Sequence, residues 1–200
     1  MKLCSLSLSL LPLALCLALL GHRGVAAHAS AAHAAATAAN ASATATATAG
    51  LVAKVCGKSN HRDLCLSSLQ SVPDVGSATD VGILAIAALR VAATNASDTA
   101  ALIQGLLNDT TLSPAVQQGL SDCADHYVDA VEQLDDSVAA LTVKAYSDVR
   151  TWVKTAIADA DTCEAGFQQL ATGPNILSHR NLIFRQLCNN ALGIVKLLKA

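Results

Sequence analysis

The strongest concentration of chemically active side chains in the sequence is acidic. Six carboxylates and no lysine or arginine lie from Asp122 to Asp136. Asp125, Asp129 and Glu132 recur at i, i+4 and i+7, so a helix would place them in one stripe. Like charges at this spacing repel by roughly 0.3 kcal/mol per pair and do not stabilise a helix. Two interpretations stay open: a solvated face that keeps the chain soluble, or a surface that meets polar or basic groups of a partner.

The other reactive residues form no catalytic frame. The histidines occur outside any Gly-x-Ser-x-Gly or His-Glu-x-x-His arrangement, and a glycine-rich phosphate loop is absent. Carboxylates exposed on helices have no cause for the raised pKa that general-acid catalysis needs. No Cys-x-x-Cys pair offers tetrahedral zinc ligation. We therefore expect no catalytic residue, no metal and no cofactor, and we interpret Trp152, the sole tryptophan, as a packing anchor.

Composition limits the number of domains and the class of partner. Two hundred residues correspond to about one domain. A formal charge of −2 with 14% charged residues gives no basic excess, so no nucleic-acid partner, and no polyanion partner in general, is expected. The hydrophobic share of 52% argues against disorder along the whole length, because disordered chains combine low hydrophobicity with high net charge.

The N-terminal part has the pattern of a secretory signal peptide. Lys2 supplies a positive start, residues 3–20 are almost continuously apolar, and small residues up to Ala27 suit a signal peptidase. A membrane anchor is the alternative, but no basic stop follows the apolar run. We predict a signal peptide over 1–27, an Ala/Thr-rich low-complexity leader over 28–50 that cannot cover a core, and a folded domain over 51–200.

Three sequons gain meaning if the chain is secreted, because N-linked sugars are added in the secretory pathway. Their asparagines are Asn40, Asn95 and Asn108. We expect no membrane association once the signal peptide has been removed.

The folded part is helical by its periodicity. One run, for example, has apolar residues at steps of three and four: Leu120, Cys123, Tyr127, Val131, Leu134, Val138 and Leu141. Four such stretches of about 25 residues lie within 79–199, and a comparable run of period two is absent. We predict an all-α fold: an antiparallel four-helix bundle over 79–199, preceded by a short helical hairpin over 51–70.

Local signals divide the predicted helices. Ser113 followed by Pro114 is typical of a helix start, with a capping side chain before a proline at the first helical position. Residues 172–174, Thr-Gly-Pro, separate the third and fourth long stretches. Asn95–Asp98 interrupts the apolar stripe of the first long stretch, and we expect a kink there.

Cysteines indicate how the helices are linked. Five remain after signal removal, and an odd number in an oxidising compartment indicates two disulfides and one thiol. Cys56 and Cys65 would close the short hairpin. Cys123 and Cys163 lie on the apolar stripes of the second and third long helices and can face each other across the bundle. We predict these two bridges, with Cys188 as a buried free thiol.

Several short motifs resemble the plant invertase and pectin methylesterase inhibitor family. They are two cysteines nine positions apart, Cys-x-x-x-Tyr over 123–127, Asp-Val-Arg-Thr-Trp over 148–152, Thr-Cys-Glu-Ala-Gly-Phe over 162–167 and Cys-Asn-Asn-Ala-Leu over 188–192. The resemblance extends from Leu51 to the C-terminus. It implies a helical hairpin on a four-helix bundle, the two disulfides named above, no catalytic activity, and secretion to the cell wall or apoplast rather than the vacuole.

The resemblance favours one target enzyme within this family. Invertase inhibitors typically carry a Pro-Lys-Phe motif that is missing between Leu141 and Cys163, whereas residues 148–156 are similar to a stretch common in pectin methylesterase inhibitors. We therefore expect a pectin methylesterase inhibitor that forms a 1:1 complex. An acid invertase inhibitor is the alternative, and a secreted helical module without an enzyme target is the second alternative.

The resemblance also assigns the partner-binding residues. It places the acidic positions after the Cys-x-x-x-Tyr motif, here Asp125, Asp129 and Glu132, together with Thr162, on the surface that faces the enzyme. Two departures from the family pattern stand out: His61-Arg62 replaces the usual Tyr-Pro before the second cysteine, and Ala165 stands where an acidic residue is frequent. The first concerns the hairpin, and the second would weaken one contact with the enzyme.

Overall fold

A computed structural model describes residues 50–73, 75, 78–170 and 176–198. The predicted signal peptide, most of the leader and the predicted break at 172–174 lie outside these ranges. The described residues form helices and turns and contain no strand. The helices are α1 (50–56, from the first described residue), α2 (Arg62–Gln70), α3 (Val81–Leu107), α4 (Pro114–Thr142), α5 (Tyr146–Gln169) and α6 (Ser178–Val195).

The four long helices form the predicted bundle. They pack in the cyclic order α3, α4, α5, α6, so that each contacts the helix before and after it, and α6 closes the ring against α3. Helices α1 and α2 form the predicted hairpin, and α2 lies against α3 and α6, on the side opposite the α4–α5 contact. The all-α fold with a four-helix bundle, a helical hairpin and two disulfides is confirmed.

Helix starts follow the residues that precede them. The Ser113 hydroxyl accepts a hydrogen bond from the Val116 amide at 3.4 Å, and Pro114 occupies the first turn of α4, as predicted. Asp80 caps α3 in the same way, through the Ile83 amide at 3.1 Å. Both caps satisfy amides that the helix leaves without an internal partner.

Helix α3 runs without a break through Asn95–Asp98, so the residues that interrupt the apolar pattern of the sequence remain helical. The Ser97 hydroxyl donates to the Ala93 carbonyl at 3.0 Å, and the Thr99 hydroxyl donates to the Asn95 carbonyl at 2.8 Å. Hydroxyls that bond the preceding turn of their own helix are satisfied without leaving the helical conformation. Ala96 and Thr99 also face the core, which continues the buried stripe.

The core is built from small residues. Six of the ten buried residues of α3 are alanines: Ala85, Ala87, Ala88, Ala92, Ala93 and Ala96. Small side chains allow helix axes to approach closely, which explains how a chain with 2% aromatic residues fills its interior. The main aromatic contact joins Tyr127 and Phe184, whose ring centroids lie 5.5 Å apart.

By length and composition, α3 is the one described helix that is long and apolar enough to cross a membrane. Its ten buried residues include the alanines named above. Its apolar character is therefore explained by its place in the bundle core.

Both predicted disulfides are present. Cys56 and Cys65 join α1 to α2 with a Cα–Cα distance of 5.6 Å, and Cys123 and Cys163 join α4 to α5 with a Cα–Cα distance of 4.9 Å. Cys188 of α6 is buried and forms no disulfide with another described cysteine. Burial raises the pKa of its thiol, so Cys188 stays a protonated apolar side chain and not a nucleophile.

The hairpin turn is attached to α6, at the position where His61 departs from the family pattern. The Ser59 hydroxyl donates to Asn190 Oδ1, and Asn190 Nδ2 donates to the His61 carbonyl at 3.4 Å. The His61 amide in turn donates to the Ser59 hydroxyl at 2.9 Å. Backbone and hydroxyl groups thus fix the turn, and the imidazole of His61 takes no part in these bonds.

Candidate functional site

The predicted acidic stripe lies on the outer side of α4. The acidic face, as we call it, consists of five exposed carboxylates at steps of three and four: Asp122, Asp125, Asp129, Glu132 and Asp136. The core-facing side of the same helix carries Leu120, Tyr127 and Leu134, which are almost completely buried. Because the apolar stripe faces the core, the carboxylates of the opposite side must face outward.

The acidic face forms no ion pair within the described residues. The ion pairs there join Arg62 to Asp63 and Arg185 to Asp161, and His126 lies against Asp159. On the face itself, Asp122 accepts a hydrogen bond from Gln118 at 2.8 Å. The remaining carboxylates of the acidic face are available to donors outside the chain.

Helices α4 and α5 meet beside this face along a line that we call the α4–α5 seam, defined by Cys123 and His126 of α4 and by Asp159 and Cys163 of α5. Besides the disulfide, His126 Nδ1 lies 3.3 Å from Asp159 Oδ1 across the seam. Near the end of α5, the side chain of Leu170 packs over Gly119 of α4, where a Cβ would lie 2.7 Å from a methyl carbon of Leu170. The seam therefore holds the two helices in a fixed relation.

Asp159 is the most unusual ionisable group of the seam. Burial raises its pKa above the ordinary value, an effect partly offset by the hydrogen bond and charge of His126, and the nearby carboxylate of Asp129 raises it further. Its Oδ2 atom is buried and has no hydrogen-bond partner among the described residues. Asp129 lies three residues after His126 on α4, on a neighbouring position of the helix surface, so the acidic face borders the seam.

Thr162 lies at the same side of the molecule. It is exposed on α5, three residues after Asp159 and next to Cys163, and residues three apart share a helix face. Its hydroxyl donates to the Ala158 carbonyl at 2.8 Å, which fixes the side chain against its own helix. Thr162 therefore lies beside the α4–α5 seam, which the acidic face borders from α4. Ala165 is also exposed on α5.

A buried polar network lies beneath this surface and was not predicted from the sequence. The Tyr127 hydroxyl donates to Asn181 Oδ1 at 2.9 Å, and Asn181 Nδ2 donates to Glu164 Oε2 at 2.7 Å. The Ser178 hydroxyl donates to the other oxygen of Glu164 at 2.5 Å. Burial raises the pKa of the Tyr127 hydroxyl, which therefore stays protonated and acts as a donor.

This network ties α4, α5 and α6 together. Asn181 is fully buried, and its amide also lies 3.7 Å from the sulfur of Cys163. The one signal in the sequence was an asparagine at a position of α6 that shares the helix face of Phe184 and Cys188. A polar residue at a core position has to be satisfied by partners from other helices.

The glycosylation candidates occupy different surroundings. Asn108 is exposed at the end of α3, and its Nδ2 donates to the Gln104 carbonyl at 3.0 Å. Asn95 lies half-buried in the middle of α3. Asn40 lies outside the described residues.

No group of three His, Cys, Asp or Glu side chains that could hold a metal ion occurs in the part of the chain that the structure describes.

The sequence characteristics of the plant invertase/pectin methylesterase inhibitor family match residues 50–194. The matched range contains the hairpin and the four helices of the bundle. This chain therefore belongs to that family. Members of this family are inhibitors of enzymes, and the chain is an enzyme inhibitor and not an enzyme.

Its relatives include inhibitors of two kinds. A pectinesterase inhibitor from Actinidia deliciosa is 29% identical over 148 residues, 74% of this chain and 79% of that protein. Pectinesterase inhibitor 2 of Arabidopsis thaliana is 26% identical over 143 residues, 72% of this chain and 81% of that protein. Cell wall / vacuolar inhibitor of fructosidase 2 of the same plant is 26% identical over 147 residues, 72% and 81% of the two chains.

A solved structure agrees with the fold. The crystal structure of a mutant form of a pectin methylesterase inhibitor from Arabidopsis matches 72% of this chain and 95% of its own, with a TM-score of 0.62 and 22% sequence identity. At this identity the likeness supports the helical fold and does not assign the target enzyme.

Proposed function

We propose that this protein is a secreted inhibitor of pectin methylesterase that acts in the apoplast and cell wall. The observation that carries the proposal is the acidic face of α4, which is exposed, free of ion pairs among the described residues and continuous with Thr162 across the α4–α5 seam. It would control the removal of methyl esters from pectin by covering the substrate-binding cleft of the enzyme.

Inhibition is non-covalent and rests on a rigid surface. The Cys123–Cys163 disulfide and the network around Asn181 hold the surface before the enzyme arrives. A preorganised surface loses less conformational entropy on binding. The carboxylates at its rim govern mainly the association rate and the salt dependence, while a few well-packed contacts supply most of the affinity. We expect a 1:1 complex, since one such surface is present in the described part of the chain.

The choice of pectin methylesterase over acid invertase rests on the sequence of α5. Residues 148–156 are similar to a stretch of pectin methylesterase inhibitors, and the turn that leads into α5 is only Val143-Lys144-Ala145, without Pro-Lys-Phe. The relatives carry both kinds of name, so acid invertase is the alternative target.

A paired titration tests the target. Purified secreted protein is titrated against a pectin methylesterase and against an acid invertase, each at a known active-site concentration. Loss of esterase activity that saturates at one inhibitor per enzyme, with invertase unaffected, is the expected result. Inhibition of invertase alone would identify the alternative target. If neither enzyme responds at stoichiometric concentration, the chain is a secreted helical module with another role.

Mass spectrometry of the secreted protein tests processing at the same time. We expect the mature chain to begin after Ala27, and enzymatic removal of N-glycans to shift the masses of peptides that contain Asn40, Asn95 or Asn108. A mature chain that retains residues 1–27 would contradict the proposed signal peptide.

A further inference from the structure

A pocket lies where the hairpin turn meets the end of α6. The pocket has a volume of about 460 Å³. Its polar and charged lining residues are Lys58, Ser59, Asn60, His61, Asn189, Asn190 and Lys196. Val55, Ile194 and Leu197 provide aliphatic surface, and none of the residues that line the pocket is acidic.

The chemistry of the lining matches an anionic sugar. Lys58 and Lys196 are exposed and present ammonium groups, which attract a carboxylate. The side chains of Asn60 and Asn189 can donate to or accept from sugar hydroxyls. Aliphatic side chains suit the apolar faces of a sugar ring, and ligand sites combine apolar surface with a few polar groups in this way.

The wall of the pocket is fixed in place. Asn190 is only 3% exposed, and its two amide atoms bond the Ser59 hydroxyl and the His61 carbonyl. The Cys56–Cys65 disulfide closes the hairpin directly behind this turn. Lys58 thus lies on a turn that is held by a covalent bond and by a buried amide, and Lys196 lies at the C-terminal end of α6.

Gly193 of α6 also lines the pocket. No heavy atom lies within 4 Å of the position that a Cβ of Gly193 would take, so a side chain there would extend into open space. Gly193 therefore offers a position at which the pocket can be filled without disturbing the packing of the bundle.

We propose that this pocket binds a carboxylated sugar, namely a galacturonate residue of de-esterified pectin. The identity of the polymer rests on the proposed function, because de-esterified pectin is the product of the enzyme that the protein would inhibit. The pocket lies beside α2 and α6, whereas the acidic face lies on α4, on the opposite side of the bundle. The two surfaces can therefore be occupied at the same time, and the inhibitor is retained where its target enzyme has already acted.

The proposal revises the expectation that the chain has no polyanion partner. That expectation rested on a formal charge of −2 averaged over the whole sequence. In the structure the carboxylates of α4 are separated from the cations of the pocket by the width of the bundle. A local positive field attracts a polyanion regardless of the net charge, and its effect weakens as salt screens it.

Calorimetric titration of the purified full chain with a de-esterified oligogalacturonate tests the proposal, with the fully methyl-esterified oligomer as the comparison ligand. Gly193→Leu fills the pocket, and Gly193→Ala is its matched control. A double variant, Lys58→Ala with Lys196→Ala, removes two cations from the pocket and is called the pocket pair. Its control is a double variant, Lys154→Ala with Arg180→Ala, that removes two exposed cations elsewhere. We expect Gly193→Leu and the pocket pair to weaken binding at least tenfold, and both controls to bind as the wild type does.

Three results would overturn the proposal: no binding of the de-esterified oligomer at millimolar concentration, equal binding of the esterified oligomer, or equal weakening by the two cation pairs. Esterase inhibition is measured on the same preparations, so that the two proposals fail separately. Inhibition without oligogalacturonate binding overturns only the pocket assignment. Oligogalacturonate binding without esterase inhibition supports the sugar site and overturns pectin methylesterase as the target enzyme. Loss of esterase inhibition in folded Gly193→Leu would overturn the assignment of two separate surfaces.

Discussion

The acidic face of α4 and the basic pocket beside α6 differ in shape and charge but share one construction. The acidic face is a row of exposed carboxylates on one helix, and the pocket is a concave surface made by a turn and a distant helix. Each has a disulfide and a buried asparagine behind it: Cys123–Cys163 with Asn181, and Cys56–Cys65 with Asn190. In a small protein with an alanine-rich core, these buried bonds supply rigidity that bulky side chains supply elsewhere.

The two disulfides provide the largest expected difference between these regions. In the chain-entropy model, a bridge across 40 residues contributes about 4 kcal/mol and one across nine residues about 2.6 kcal/mol. We expect Cys123→Ala with Cys163→Ala to lower the melting temperature by more than Cys56→Ala with Cys65→Ala, and to lose esterase inhibition as a consequence. Thermal unfolding followed by circular dichroism gives the melting temperatures of both double variants. If both melting temperatures fell by the same amount, loop length would not decide the ranking.

The buried asparagines provide the next comparison. Asn181→Ala leaves the almost completely buried Tyr127 hydroxyl without its acceptor, which costs about 2 kcal/mol. Asn190 faces a pocket that water can enter, so we expect Asn190→Ala to lower the free energy of unfolding by only about 1 kcal/mol. Asn189→Ala, an exposed neighbour on α6, is the control and should change the free energy of unfolding little. Urea denaturation gives all three values. A larger loss for Asn190→Ala than for Asn181→Ala would contradict this ranking.

The acidic face is tested by its effect on binding. Replacing Asp125, Asp129 and Glu132 together by Ala is expected to weaken esterase inhibition about tenfold, with a reduced salt dependence, because the carboxylates contribute mainly to association. The matched control removes three exposed carboxylates outside the face: Asp63, Asp98 and Asp135. Far-UV circular dichroism should be normal in both. An unchanged inhibition constant in the first variant would remove the acidic face from the binding surface.

The smallest effect is expected at the seam and depends on pH. Because the folded-state pKa of Asp159 is raised, protonation of this group favours the folded state, and its ionisation costs stability as pH rises above the ordinary value of about 3.9. Asp159→Asn should therefore be more stable than the wild type near pH 7, with the gain shrinking as pH falls towards 4.

The matched variant for this prediction is Asp161→Asn, two residues along α5. Asp161 pairs with Arg185 at 2.6 Å at a partly exposed site, so its loss should cost at most about 0.5 kcal/mol. Urea denaturation at several pH values compares the two. A stability loss in Asp159→Asn at pH 7 would mean that the contact with His126 outweighs the effect of burial.

The sequence predicted features that depend on spacing and missed features that depend on long-range contacts. The helices follow from apolar steps of three and four, and the bridge between Cys123 and Cys163 follows because both cysteines lie on such stripes. The sequence did not show how Asn95–Asp98 stays within α3, because the hydroxyls of Ser97 and Thr99 bond carbonyls of their own helix, which residue type alone does not reveal.

The site was predictable in part for the same reason. The stripe of Asp125, Asp129 and Glu132 is a helical period, whereas its proximity to Thr162 was expected only through family resemblance. The pocket joins Ser59 to Asn190 across 131 positions of sequence. No local pattern reports such a contact, because it depends on how the hairpin docks on the bundle.

The two disulfides hold some helices of the domain covalently and leave others held by packing and hydrogen bonds. One clamps α4 to α5 and the other clamps the hairpin, and no disulfide among the described cysteines reaches α3 or α6. Thermal breathing of the bundle should therefore concentrate where α3 and α6 meet by side-chain packing alone, and amide hydrogens there should exchange faster than those of the clamped pair. The surface on the clamped helices would then keep its shape for a folded enzyme while the opposite side of the bundle breathes.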